Sequence, residues 1–324
     1  MSVRAITGSD TGWSPRRAAD VLRHPEVRGV LMAASRDPDA KLTFVVTERP
    51  ASADPLAVKI PTTTAAGVAV EREGRMLVEL RRMPLGPVAG TVPRYVRSLD
   101  ADGRQVLVAT AMPGRPMSVS YHQFLHTARP TVVARDFALA AGWLRDFQSA
   151  TAHGSAPVQH AGTVAASLGA RWDGHPALRE ALRRLHLAHR HLSAWQTPCP
   201  AVHGDFGFGN VLVAGGRVSG VVDWEAGTTS GSPLRDLARF AISYGLYLDR
   251  HTRPGRIVAG HPGLRRVGFA PGIRYVLQGS GWMPRLVQGF LSEGLAQLGM
   301  PGSLWYDVAM AGVGEVAADA NDTD

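Results

Sequence analysis

The rhythm of apolar positions changes near residue 112. Ahead of it, LTFVVTE (Leu42 to Glu48) and PLAVKIP (Pro55 to Pro61) are short β-branched runs separated by RPASAD, a turn composition. They predict two strands. Val70, Leu77 and Leu80 then recur at roughly helical spacing, so a helix is expected over Ala65 to Arg82, ended by MPLGP. RYVRSLDADGRQVLVATAM reads as two more strands joined by a turn at Asp100 to Gly103, and PGRP punctuates the chain after Met112. This predicts a strand-rich N-terminal lobe, residues 1–112, and a separate C-terminal lobe, residues 113–324.

Beyond Ser118 the pattern turns helical through SYHQFLHTA, VVARDFALAAGWLRDFQSAT and the arginine-rich REALRRLHLAHRHL. One segment, HGDFGFGNVLVAGGRVSGVVDWE (His203 to Glu225), interrupts it as a loop and a short hairpin. Helices are expected again in SPLRDLARFAISYGLYL, in IRYVLQGSGWMPRLVQGFLSEGLAQLG and in SLWYDVAMAGVGEVAA. Between the first two lies a Gly/Pro/Arg-rich stretch, Asp249 to Gly272, expected to be a loop or lid. No internal repeat is visible.

Composition narrows the function. Nearly half of the 324 residues are hydrophobic and 19% are charged, which excludes wholesale disorder. Cys199 is the only cysteine, so an intramolecular disulfide and a cysteine-based zinc site are excluded and a reducing compartment is expected. No apolar run approaches the ~20 residues that cross a bilayer, and the N-terminus has no signal-peptide core; a soluble, cytoplasmic protein without a membrane partner is expected. The net charge of +8 would suit nucleic acid. The arginines are spread along the chain, however, and the densest run places Leu182, Leu185 and Leu192 at helical spacing, so they read as the wet face of an amphipathic helix and no nucleic-acid partner is expected.

The hairpin segment carries the chemistry. His203, Asp205 and Asn210 fit H-x-D-x4-N, the spacing of a kinase catalytic loop, and Asp223 follows at the end of VSGVV. VLV and VSGVV flank AGGR, a tight turn, so folding the ribbon back brings Asn210 and Asp223 together at its open end. Two such oxygen ligands suit Mg²⁺, which takes one or two carboxylates plus substrate phosphates. Asp205 would face the hydroxyl that attacks a γ-phosphoryl group.

HGDFGFGN, VVDWE and GSPLRDLA together resemble the aminoglycoside phosphotransferase and choline-kinase-like family, small-molecule relatives of the protein kinases. The resemblance implies an α+β, protein kinase-like two-lobed fold, with a small β-rich N-lobe and a larger, mainly helical C-lobe. It implies a phosphotransferase acting on an alcohol group, with Asp205 as catalytic base, Asn210 and Asp223 as Mg²⁺ ligands, and ATP or GTP as donor. Asp236 matches an aspartate that braces the catalytic loop and His203 a structural histidine. The chain holds only two lysines, Lys41 and Lys59, against thirty-three arginines, so a lysine ending PLAVK suggests that a compact ammonium is required there. It resembles the kinase lysine that reaches the α/β-phosphates. Its expected partner is Glu73, with Glu71 as the alternative. The protein-kinase glycine-rich loop is missing; AASRDPDAK stands in its place, with Ser35 as a candidate phosphate contact. Family position also assigns the adenine edge to the backbone at Ala111 and Met112. Glu225 is assigned either to the metal shell or to a neighbouring backbone or arginine, and Trp224, Phe206 and Phe208 to packing.

The resemblance implies a small hydroxylated molecule as acceptor. Arg239 to Gln297 carries eight arginines against Asp249 and Glu293, a poor lining for a polycation. A neutral or anionic sugar, nucleoside-type compound, polyol or hydroxylated antibiotic is expected. The alternatives are an aminoglycoside-type resistance enzyme and a catalytically degenerate nucleotide-binding module; Asp205, Asn210, Asp223 and Lys59 are all present, against the second of these.

Overall fold

The computed structural model describes residues 27–34, 40–48, 54–101 and 103–320. By its internal packing the chain divides into two units, one formed by the residues up to Arg81 together with Pro93–Met112, the other by Arg82–Val92 with Pro113–Asp324. The division at Met112 read from the sequence therefore did not separate Arg82–Val92, which belongs with the second unit. Trp143 Nε1 donates to Thr91 Oγ1 at 2.8 Å and holds the end of that excursion there.

Among its described residues the first unit is an antiparallel sheet and a helix. Its strands are β1 (Val27–Ala34), β2 (Lys41–Glu48), β3 (Leu56–Pro61), β4 (Tyr95–Ala101) and β5 (Arg104–Thr110), in the order β1-β2-β3-β5-β4. The strand β1 was not expected from the sequence. Side chains alternate across a strand, and β3 uses the alternation fully. Val58 and Ile60 join Val46, Val106 and Val108 in an apolar cluster on one face, which leaves Lys59 on the other beside its register partner Leu107.

Helix α1 (Thr64–Arg82) begins where Thr63 Oγ1 accepts from the Ala66 N–H at 3.1 Å, an N-cap. Its buried residues are Ala66, Val70, Glu73, Gly74, Met76, Leu77 and Leu80. An added Cβ at Gly74 would sit 3.5 Å from Leu107, so the buried side of the helix lies on the face of the sheet that carries Lys59. One carboxylate therefore enters an otherwise apolar helix face.

The second unit is mainly helical. Strand β6 (Arg115–Pro116) leads into α2 (Met117–Tyr121), followed by α3 (Pro130–Thr151), β7 (His153–Pro157), α4 (His160–Arg171), α5 (Leu178–Leu192) and β8 (Gln196–Cys199). The hairpin β9 (Val211–Ala214) and β10 (Arg217–Val221) comes next, then α6 (Leu234–Leu246), β11 (Ile257–Val258), β12 (His261–Arg265), α7 (Pro271–Gln278), α8 (Trp282–Gln297) and α9 (Trp305–Asp319). At its centre Phe137 of α3 meets Phe240 of α6 edge to face at 5.2 Å, and Tyr244 donates to Asp136 at 2.8 Å. Burial of that phenol pushes its pKa up.

Helix α9 packs against α4, α5 and α6. On α5, Leu185, Ala188 and Leu192 are buried and the arginines face solvent, as the periodicity predicts. Two features differ from the sequence reading. The stretch expected to be a loop or lid contains the β11–β12 hairpin, and β7 pairs with β8 although neither has a strand-like apolar pattern. No helix among the described residues is long and apolar enough to cross a membrane.

Candidate active site

The polar loop between β8 and β9 is held from below by one buried carboxylate. Asp236, in the first turn of α6 and fully buried, accepts the N–H of His203 at 2.7 Å and that of Gly204 at 2.8 Å. Burial pushes its carboxyl pKa up, opposed by His203 and by the two amides. Gly204 adopts φ +83, and a Cβ there would come 2.1 Å from the Ala226 carbonyl oxygen, so no other residue fits. His203 is buried; its Nε2 bonds the Val222 carbonyl at 2.9 Å and its Nδ1 accepts the Asp205 N–H at 3.2 Å. This histidine ties the loop to the strand that leads to Asp223, a structural role.

Rings pin what hydrogen bonds do not. Phe206 stacks on Trp143 at 5.1 Å, and Trp224 lies 4.5 Å from the His203 ring while donating to the Val221 carbonyl at 2.8 Å. All three aromatics of the segment are buried, so they pack as expected.

Within this frame Asp205 and Asn210 form one unit. Asn210 Nδ2 donates to the Asp205 carbonyl at 2.8 Å and to its carboxylate Oδ2 at 3.0 Å. With the side-chain nitrogen committed, the side-chain oxygen Oδ1 of Asn210 is the atom left for a cation.

The hairpin turns on Gly215 and Gly216, whose φ values of +55 and +75 match the two left-handed positions of a type I′ turn. Val211 is thereby opposite Val221, and the Val222 N–H donates to the Asn210 carbonyl at 3.0 Å. Asp223 follows at once. It holds φ +66, a left-handed conformation that few residues other than glycine tolerate and that carries a cost of about 1–2 kcal/mol. The ribbon thus delivers an amide oxygen and a half-buried carboxylate to the same end, a hard-oxygen donor set that fits Mg²⁺.

The remaining oxygen of Asp205 is taken by a residue that the sequence reading missed. Arg239, one turn after Asp236 on α6, approaches Asp205 Oδ1 through Nε at 2.8 Å and Nη2 at 2.7 Å, and Asp319 through Nη1 at 3.0 Å. Burial works against its charge, but Asp205, Asp319 and Glu315 outweigh it and hold its pKa above the ordinary value. Nothing in LRDLARF distinguishes this arginine from its thirty-two counterparts; only the helical offset from Asp236 hints at it.

A cavity of about 370 Å³ opens at Asp205 and Asn210, lined also by Ser118, His122, Arg239 and Arg250. Asp205 is the only carboxylate among its lining residues.

In the first unit, Lys59 Nζ lies 2.6 Å from both carboxylate oxygens of Glu73, with the two side chains 8% and 2% exposed. Glu71 instead pairs with Arg75 at 3.3 Å on the helix surface. Ala111 donates its N–H to the Pro55 carbonyl at 2.8 Å, so that amide is already committed; Met112 beside it is half-buried. Ser35 lies outside the described residues.

No curated protein matches the chain in sequence. Among solved structures it is similar to an aminoglycoside-3′-phosphotransferase of type VIII, at 18% identity and a TM-score of 0.50, covering 91% of this chain and 98% of that one. It is similar as well to a thermostable mutant of aminoglycoside phosphotransferase APH(4)-Ia in a ternary complex with AMP-PNP and hygromycin B. That match has 13% identity and a TM-score of 0.50 over 94% of this chain and 98% of the other. These likenesses support the α+β, protein kinase-like fold. The sequence profile of the phosphotransferase enzyme family matches residues 39–269, well over half of the chain. The chain belongs to that family of phosphotransferases, the one its HGDFGFGN and VVDWE motifs resemble.

Proposed function

We propose that the protein transfers the γ-phosphoryl group of ATP or GTP to a hydroxyl of a small neutral or anionic molecule. The observation that supports this reading is the clamp between Asp205 and Asn210 at the open end of the β9–β10 hairpin. Asn210 clamps Asp205 through its amide, and the β9–β10 ribbon sets Asp223 one residue beyond the strand partner of that clamp. In phosphoryl transfer a protein chiefly positions reactants and neutralises charge.

Asp205 accepts the acceptor's hydroxyl proton on a carboxylate oxygen as the alcohol oxygen attacks the γ-phosphorus in line. The bond from that phosphorus to the β,γ-bridging oxygen breaks, and the nucleoside diphosphate leaves with the electron pair. Asn210 and Asp223 are the residues to hold Mg²⁺, which when bound supplies positive charge to the donor's phosphates. The Lys59–Glu73 pair presents a fixed ammonium suited to the α/β-phosphates. Ser35, Ala111 and Met112 remain proposed nucleotide contacts by family position, Ala111 through its carbonyl because its amide is committed.

The lining of the cavity at Asp205 supports the acceptor class. With Arg239 and Arg250 on its walls and no carboxylate besides the base, it suits neutral or anionic hydroxyl compounds better than a polycation. A phosphate-transfer screen of sugars, nucleosides, polyols and antibiotics with both nucleotides tests the proposal. Transfer that is lost in Asp205→Ala supports it. Transfer confined to aminoglycosides, with matching protection in a growth-inhibition assay, would replace the acceptor class by antibiotic resistance. Nucleotide binding with no transfer to any acceptor would favour a degenerate binding module.

A further inference from the structure

We propose that the cavity of about 450 Å³ walled by α4, α9, β8 and the start of α6 is a second small-molecule site, built for an uncharged, hydroxyl-rich ring. It is distinct from the cavity that contains Asp205, and the proposal does not depend on the phosphotransfer reading.

Three of its polar atoms are buried and unused. His160 Nε2, Glu315 Oε2 and Ser232 Oγ all line it, and each has no hydrogen-bond partner among the described residues. The His160 and Glu315 side chains are 5% and 8% exposed and stand 3.7 Å apart, too far to satisfy one another. Buried polar atoms in native proteins are nearly all hydrogen-bonded, because an unmet one costs about 1–3 kcal/mol. Three in one cavity point to a ligand that meets them. Burial, assisted by Arg235, lowers the His160 pKa to about 4, so near neutral pH its imidazole is uncharged.

The charges are matched in pairs. Arg235 Nε bonds Glu315, and Arg239 Nη1 bonds Asp319 at 3.0 Å, a two-rung ladder between α6 and α9. Neither an anion nor a polycation would find an uncompensated partner. Val158, Val164, Val202 and Ala318 supply apolar wall. Hydroxyl-bonding atoms on an apolar wall, without net charge, suit a ring with C–H faces and equatorial hydroxyls. The site also adjoins the catalytic loop: an added Cβ at Gly204 would lie 2.9 Å from Arg235 Nη1. At the rim, Asp319 holds the same guanidinium that holds Asp205.

Cys199 lines this cavity and is the only cysteine of the chain, so occupancy can be read without any assay of activity. The alkylation rate of Cys199 by iodoacetamide is measured with methyl glucoside, myo-inositol, uridine, kanamycin or sulfate, with glutathione as the solvent control. At twice its Kd a ligand in the cavity slows the reaction by about threefold. The expected result is protection by at least one neutral compound, none by kanamycin or sulfate, and its loss in Glu315→Gln and in the milder Ser232→Ala. The absence of protection by every neutral compound would overturn the proposal, as would protection by the charged probes alone. Protection that survives in both variants would overturn it too. Cys199 protection and phosphate transfer are separate readouts, so failure of one leaves the other standing.

Discussion

The molecule holds two ion pairs built for opposite conditions. Lys59 and Glu73 are sealed between a sheet and a helix, with side chains 8% and 2% exposed. Arg239 and Asp205 meet at a cavity wall, where the carboxylate is 42% exposed. The first pair is fixed by strand alternation and a helix stripe, and its geometry survives only if both partners stay. The second shares its carboxylate with Asn210 and its guanidinium with Asp319, so an incoming hydroxyl can compete for it. A sealed pair places a charge; an open pair keeps a base in position while leaving it reachable.

Substitutions sharpen this contrast, starting with the proposed metal ligand. Asp223→Ala is expected to abolish Mg²⁺-dependent transfer, measured as product formation from labelled nucleotide; normal transfer would remove Asp223 from the metal site. Asp205→Ala is expected to lower turnover by about 10²–10⁴, the scale of a lost general base. Lys59→Met leaves Glu73 buried without its ammonium and should cost about 3–5 kcal/mol in denaturant unfolding, most of it regained in Lys59→Met/Glu73→Leu. A single variant as stable as the parent would mean that the pair is not sealed.

His160 supplies a pH test in the second unit. Its folded-state pKa, about 4, is depressed below the model-peptide value of 6.5 by burial first and Arg235 second. Between these values the unfolded chain binds the proton and the folded chain does not. Stability is therefore full above pH 6.5 and falls by about 3 kcal/mol as pH drops to 4. His160→Gln should flatten that part of the unfolding profile. The smallest effect is expected at the open pair. Arg239→Gln should slow turnover by about tenfold, with the nucleotide KM unchanged. A raised nucleotide KM with unchanged kcat would place Arg239 on the donor instead of the base.

What the sequence made legible follows from range. The catalytic loop, the hairpin and Asp223 lie within one short segment, so spacing and two glycines are enough to bring them together. Lys59 was readable because one of only two lysines sits in a β-branched run, and Glu73 was preferred to Glu71 on the family resemblance alone. Arg239 was not, since its partners come from a loop and from the end of α9, and one arginine on an arginine-rich chain gives no signal. The same holds for β7 and β8, whose pairing joins residues about forty apart with little apolar alternation, and for the ladder that lines the second cavity. His160, Ser232 and Glu315 gather only in three dimensions.

Division of labour among Asp205, Asn210 and Asp223 can be measured directly by electron paramagnetic resonance titration of Mn²⁺ with ATP. Asn210→Ala and Asp223→Ala should each weaken formation of the ternary Mn²⁺–ATP complex, while Asp205→Ala retains that complex and fails to transfer phosphate. Unaltered ternary binding in Asp223→Ala, or its loss in Asp205→Ala, would contradict the assignment of metal binding to Asn210 and Asp223 and of the base to Asp205.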